Sequence, residues 1–359
     1  RLEMSKKVLV AMSGGVDSSV AALLVRNAGY ETTGVTMRLY DNHTIGISSG
    51  TCCSLDSIND ACSVANKLDI LFTVYDFRAE FEREVIDKFI DAYEHGLTPN
   101  PCIECNRTLK FDELYRAGQE LNQDYIATGH YAIIEHGDDG RYKLKKAADL
   151  SKDQSYVLYT LTQEQLAHTM FPLGLLHKAE TRKIAEDHGF INAKRRESQD
   201  ICFIPDGNYA AFIERYTGKR HEPGNFVDMD GNVLGVHKGI IHYTVGQRKG
   251  LGLALKQPMY VQYIDVENNE VVLGSNEDLF TRELVARDFN WVSIACPDAK
   301  FRAKARIRYK HKEAPATIIP INETEVRIIF DEPQRAITGG QSVVIYDGDY
   351  VLGGGIICL

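Results

Sequence analysis

Apolar residues in the first third of the chain fall into two alternating kinds of run. Lys6–Met12 (KKVLVAM) is short and nearly continuous, as a buried strand requires, and leads through a glycine turn into an apolar helix reaching Val25. Thr32–Met37, Ile70–Tyr75 and Tyr125–Thr128 read as further strands. Between them, Leu55–Leu68 carries Ile58, Val64, Ala65 and Leu68 at helical spacing, and Phe81–Tyr93 reads as another helix. Strands separated by helices predict an α/β fold with a doubly wound parallel sheet, helices covering both faces.

From about Asn208 the texture changes. Glycines and hairpin signals multiply, as in Asp228-Met229-Asp230-Gly231-Asn232, and β-branched runs such as Thr317-Ile318-Ile319 and Val326–Ile329 replace long helical patterns. The division predicted is a catalytic domain over 5–207, a small β-rich connecting domain over 208–280, and a β-barrel over 281–359. One stretch of the last region stands out. Lys300, Arg302, Lys304, Arg306, Arg308, Lys310 and Lys312 occupy every second position, with Phe301, Ala303, Ala305, Ile307 and Tyr309 between them. On one strand this would place seven cations on a single face. Either that is a solvated outer face or it is a footprint for phosphate groups; unmixed sign favours the second.

Composition changes this picture little. A charged fraction of 25% with 44% hydrophobic residues is ordinary for a globular chain, and no apolar run is long enough for a membrane span. Arg1-Leu2-Glu3-Met4 has no secretory character, so a cytoplasmic protein with reduced thiols is expected, Met4 marking its natural start. The net charge of −9 argues against a nucleic-acid partner unless cations are gathered locally, as residues 300–312, Lys194-Arg195-Arg196 and Arg248-Lys249 gather them.

Ser13-Gly14-Gly15-Val16-Asp17-Ser18 lies between the first strand and the first helix. Two glycines allow a tight turn with N–H groups aimed inward, the seryl hydroxyls add donors, and the helix start favours an anion. A lysine placed for a γ-phosphate and a GxGxxG dinucleotide loop are both missing.

Eight cysteines are present. Cys105 precedes Arg107 and Lys110, and Cys202 follows Lys194-Arg195-Arg196; nearby cations and helix starts favour the thiolate that a nucleophile needs. Each also has a plainer reading. Ile201-Cys202-Phe203-Ile204 suits a buried small hydrophobe, and Cys102-x-x-Cys105 resembles half a zinc site without its second pair, adjacent Cys52-Cys53 being poor candidates to complete it. No metal ligands are assigned on this basis.

Taken together, SGGxDS, Asn100–Asn106 with Lys110-Phe111, Ala127-Thr128-Gly129-His130, Lys152–Tyr156, Ile201–Ile204 and Gly246–Gly252 resemble the tRNA-specific 2-thiouridylase family of the PP-loop ATP pyrophosphatase superfamily, in the family's order and over nearly the whole chain. The resemblance implies a Rossmann-like PP-loop domain and an ATP-dependent sulfurtransferase that adenylates the O2 of wobble uridine 34 in tRNAs for Lys, Glu and Gln. It implies Cys105 as nucleophile and Cys202 as persulfide carrier, the carried sulfur either attacking C2 directly, with Cys105 closing a Cys105–Cys202 disulfide, or being first released by Cys105 as sulfide. ATP, with Mg²⁺, would meet Ala11, Met12, Ser13, Gly14, Gly15, Val16, Asp17, Ser18, Met37 and Gly129. Asn100, Pro101 and Cys102 would face the target base; Lys152, Asp153, Gln154, Arg308 and Tyr309 would meet the tRNA. A cysteine desulfurase or a persulfide relay carrier would supply sulfur. One departure is Cys102, where many members carry aspartate; with Cys105 and Cys202 it could instead hold a [4Fe-4S] cluster. Two other readings are an amidotransferase or lysidine synthetase sharing the loop, and a cluster-bearing RNA-binding regulator that senses ATP.

Overall fold

The computed structural model describes residues 5–46, 55–194 and 201–359; Cys52, Cys53, Arg195, Arg196 and the 198–200 part of the second cysteine motif lie outside them. Among the described residues seven strands precede residue 171: β1 (Lys7–Ala11), β2 (Glu31–Arg38), β3 (Leu71–Asp76), β4 (Tyr125–Ala127), β5 (Ile133–His136), β6 (Tyr142–Lys145) and β7 (Thr169–Met170). Five of them form a parallel sheet in the order β3-β2-β1-β4-β7. The period-two rule for a strand explains how it is covered on both faces. Leu9 of β1 joins one apolar cluster with Phe81, Phe89, Leu109 and Phe203, whereas Val8 and Val10 join another with Val20, Leu23, Val64 and Ala65.

Residues 224–274 contribute a smaller sheet from β8 (Gly224–Val227), β9 (Val233–His237), β10 (Tyr260–Asp265) and β11 (Glu270–Gly274). Then β12 (Phe280–Trp291), β13 (Phe301–Arg306), β14 (Ala314–Asn322), β15 (Glu325–Arg335), β16 (Ser342–Asp347) and β17 (Tyr350–Cys358) form an antiparallel ring closed by β12 pairing with β17. Closure removes the exposed edges that an open sheet would present.

Two expectations need correction. The basic stretch is not one strand: β13 ends at Arg306, and residues 307–313 turn. The turn has internal partners. Arg306 stacks on Tyr156 and Tyr309 and stands 3.8 Å from Asp153, while Arg308 donates to the carbonyl oxygens of Arg335 (2.7 Å) and Ala336 (3.2 Å). Arg302 is bound to Asp331 at 2.5 Å. Alternation therefore holds only through Arg306, and three of the seven cations are engaged inside the protein.

Helices do not vanish after Asn208, because Tyr209–Thr217 is helical, with Ala210, Phe212 and Ile213 buried. Asn100–Asn106 opens a helix, which starts at Pro101 and runs to Glu120 through a π-wound stretch, Asn106–Glu113. The β5–β6 hairpin joins the barrel sheet, β6 pairing with β17 through Tyr350↔Lys145 and Val351↔Leu144. A strand partner two hundred residues away leaves no local trace in sequence.

Candidate active site

A cavity of about 320 Å³ opens beyond the carboxyl ends of β1, β2 and β4, where open parallel sheets usually hold their ligands. Ala11, Met12, Ser13, Asp17 and Ser18 form one wall, Met37 and Leu39 another, and Thr128, Gly129 and His130 a third. Pro101, Cys102, Cys105 and Lys110 enter from the thiol helix, Ile201, Cys202 and Phe203 from the far side, and Gln154 from a short loop. Both candidate reactive thiols thus face the cavity that the glycine loop faces.

The phosphate loop is fixed from behind. Ser13 N–H donates to Ser18 Oγ (3.1 Å), and the hydroxyls of Ser18 and Ser19 donate to the Gly15 carbonyl (3.1 and 2.9 Å). Buried Asn192 donates to the carbonyl of Gly14 and to Ser19 Oγ. Gly14 has φ +79°, and a Cβ there would stand 2.3 Å from the Ser57 carbonyl oxygen, so position 14 tolerates no side chain. A Cβ on Gly129 would meet the Ser18 backbone nitrogen at 2.8 Å; β4's turn lies directly against the start of the helix Val16–Asn27. Asp17 accepts two bonds from Lys178 Nζ (2.6 and 2.7 Å) and one from the Tyr131 hydroxyl. Its carboxylate is thereby tied to the scaffold.

The thiol helix starts cleanly. Asn100 Oδ1 accepts from the N–H groups of Cys102 (3.2 Å) and Ile103 (3.3 Å), and Pro101 occupies the first turn, where a missing N–H costs nothing. Cys102 is exposed and Cys105 buried. The chain just ahead of Asn100 is held by the barrel: Thr98 N–H donates to the Gly339 carbonyl, and Gln341 Nε2 to the Thr98 carbonyl (2.8 Å). Cys202, half-buried, sits on a peg. Phe203 is buried edge-on against Phe81 and Phe89, and the Tyr40 hydroxyl donates to the Cys202 carbonyl.

Other sequence candidates have structural duties. Asp153 is buried, accepting from Ala147 N–H and from the N–H and hydroxyl of Ser155. Gln154 Oε1 accepts from Tyr131 N–H at the cavity edge. The Tyr309 hydroxyl donates to the Asp153 carbonyl, and burial raises its pKa. Gly14, Gly15, Val16, Asn100, Lys152, Asp153, Arg308 and Tyr309 do not line the cavity. Among the lining residues that sequence reasoning left out, Lys110, Thr128 and His130 are polar and lie within motifs already singled out. Burial, reinforced by the charge of Lys110, holds the His130 imidazole well below its usual pKa, and Thr128 Oγ1 lies 2.7 Å from its Nδ1. Among the described residues no group of three His, Cys, Asp or Glu side chains is arranged to hold a metal ion.

Domain families match three successive parts of the chain. They are a tRNA methyl transferase HUP domain over residues 6–206, a tRNA methyl transferase PRC-barrel domain over 210–275 and an aminomethyltransferase beta-barrel domain over 281–357. A tRNA-specific 2-thiouridylase MnmA from Clostridioides difficile is 52% identical over 355 residues, covering 99% of this chain and 98% of the relative. Its counterpart from Acetivibrio thermocellus is 53% identical over 356 residues, covering 98% and 99%. Among solved structures, a 4-thiouridine synthetase–RNA complex with bound ATP covers 59% of this chain and 50% of its own, at 16% identity and TM-score 0.38. An NMN synthetase from Francisella tularensis covers 61% and 79%, at 17% identity and TM-score 0.35; similarity at that level carries no weight. The domain descriptions speak of methyl transfer and the relatives of thiolation. Half-identity along the full length decides between them, and the chain belongs to the tRNA-specific 2-thiouridylase family.

Proposed function

We propose that this chain is a cytoplasmic ATP-dependent sulfurtransferase that converts the wobble uridine of tRNAs for Lys, Glu and Gln to 2-thiouridine. The observation that carries this reading is the single cavity shared by the glycine loop and by Cys105 and Cys202. Ser13, Ser18 and the backbone N–H groups of the loop hold the phosphates of ATP, which arrives with Mg²⁺; Met37 and Gly129 border the nucleotide. Uridine O2 attacks the α-phosphorus and pyrophosphate leaves, so that a poor leaving oxygen becomes AMP.

Cys202 then supplies sulfur as a persulfide loaded by a cysteine desulfurase or relay carrier. The terminal sulfur attacks C2 and the C2–O2 bond breaks, AMP taking the electron pair. The Cys105 thiolate next attacks Sγ of Cys202, releasing the thiolated base and leaving a Cys105–Cys202 disulfide that a cellular dithiol reduces. Unpaired anticodon bases suit such a pocket, since they unstack at little cost. Cys102 takes the place of a carboxylate beside the base, so this chain positions the uridine with a thiol there. Catalytic, connecting and barrel domains over 5–207, 208–280 and 281–359 divide the work, the latter two gripping tRNA.

Cys202→Ser is expected to abolish 2-thiouridine formation, read by nucleoside mass spectrometry, while ATP binding and tRNA-dependent pyrophosphate release persist. Undiminished thiolation by that variant would remove the assignment. Absence of pyrophosphate release from the wild-type enzyme would favour an RNA-binding regulator instead.

A further inference from the structure

Lys110 reaches the cavity because of an irregularity in its helix. Residues five apart on an α-helix do not share a face, but the π-wound stretch Asn106–Glu113 closes i→i+5 turns, which bring position 110 round toward the side of position 105. Such bulges are concentrated at functional sites. The ammonium is then held in place: its Nζ donates to Asn106 Oδ1 (3.0 Å), and buried Asn106 is itself fixed through Nδ2 to the Val157 carbonyl (2.9 Å).

Two features give this cation a function. The ion pairs nearby on the same helix belong to Arg107 with Glu104 and to Arg116 with Asp112 and Glu113, and among the described residues no carboxylate pairs with Lys110. A positive charge lining a cavity beside a neutral amide and a neutral imidazole is matched to an anion brought by the substrate. Its location also distinguishes one anion from others. Lys110 acts electrostatically on His130, in the turn whose Gly129 touches the start of the phosphate-loop helix, while its own helix carries Cys105. It therefore lies between the phosphate wall and the thiol wall.

We propose that Lys110 is a catalytic residue whose ammonium pairs with the α-phosphate joined to the uridine oxygen and stabilises the charge that AMP gains on leaving. The inference rests on the function proposed above. As sulfur bonds to C2 and the C2–O2 bond breaks, O2 keeps the electron pair and the phosphate passes from monoanion to dianion. A fixed cation gains most from that change in the transition state, where catalysis is decided.

Single-turnover assays on the full-length enzyme, with ATP, unmodified tRNA and a persulfide-loading desulfurase, test it. Lys110→Met should fold and bind ATP and tRNA as the wild type does. It should lose about 100-fold in the coupled release of AMP and formation of 2-thiouridine, the scale on which a single preorganised electrostatic donor acts. Pyrophosphate release should fall much less. Lys110→Arg should recover part of the loss, since the charge remains although its shape differs; were the Met variant to misfold, Lys110→Gln against Lys110→Arg gives the same comparison. The assignment is overturned by a wild-type rate in the Met variant, by equal loss in Met and Arg variants, or by an equal drop in iodoacetamide labelling of Cys105, which would make the thiolate the cation's partner. A wild-type enzyme unable to thiolate would instead refute the function, whatever Lys110 does.

Discussion

The two walls of the cavity are built on opposite principles. The phosphate wall rests on backbone: a glycine turn at 14 and 15, braced from behind by Asn192, presents Ser13, Asp17 and Ser18 to the cavity beside Gly129. The thiol wall is side chain: two cysteines on separate segments, one on a π-wound helix and one pegged by a buried phenylalanine. Backbone geometry of this kind is dictated by a few consecutive residues, whereas the thiols meet only when distant parts of the chain pack. Each wall should therefore fail in its own way.

The largest effect should come from the peg. Phe203→Ala removes a ring that packs on Phe81, Phe89 and Phe212, at a cost of about 3–5 kcal/mol. Urea denaturation measures that cost. At temperatures where the variant is folded, thiolation should fall while nucleotide affinity changes little. Equal loss of both would mean that the walls are one unit. On the other side, Gly129→Ala forces a methyl against the Ser18 nitrogen and should weaken ATP binding by up to about 100-fold, the scale of a misplacement near 1 Å. Calorimetric titration with ATP, set beside unchanged reactivity of the thiols, would sharpen the contrast.

The smallest effect concerns His130, at the seam. Its folded pKa lies well below the ordinary 6.5, so the unfolded chain binds a proton that the folded chain refuses. Stability is full above pH 6.5 and declines as pH falls below it. Denaturation midpoints between pH 7.5 and 5.5 should fall less in His130→Asn than in the wild type; parallel curves would show that His130 is not the source.

How much of this was legible follows from the same contrast. SGGxDS between a strand and a helix states its chemistry within six residues. Cys105 and Cys202 could be read as reactive only through resemblance, because burial in an apolar string and persulfide chemistry look alike in sequence. Lys110 was hidden by periodicity: at 3.6 residues per turn it points away from Cys105, and only the π-wound stretch brings it round. Alternation misled at residues 300–312, since a pattern of period two cannot say where a strand stops, and stacking of Arg306 between two tyrosines lies outside any local rule.

Strands β5 and β6, together with the bonds from Gly339 and Gln341 to Thr98, stitch the last eighty residues to the first hundred and fifty. A ribosome that has finished the glycine loop and both thiols has therefore not yet made a working enzyme. Leu144 and Val351 must first become neighbours, so a nascent chain halted before the barrel holds every reactive group with its sheet edge still open.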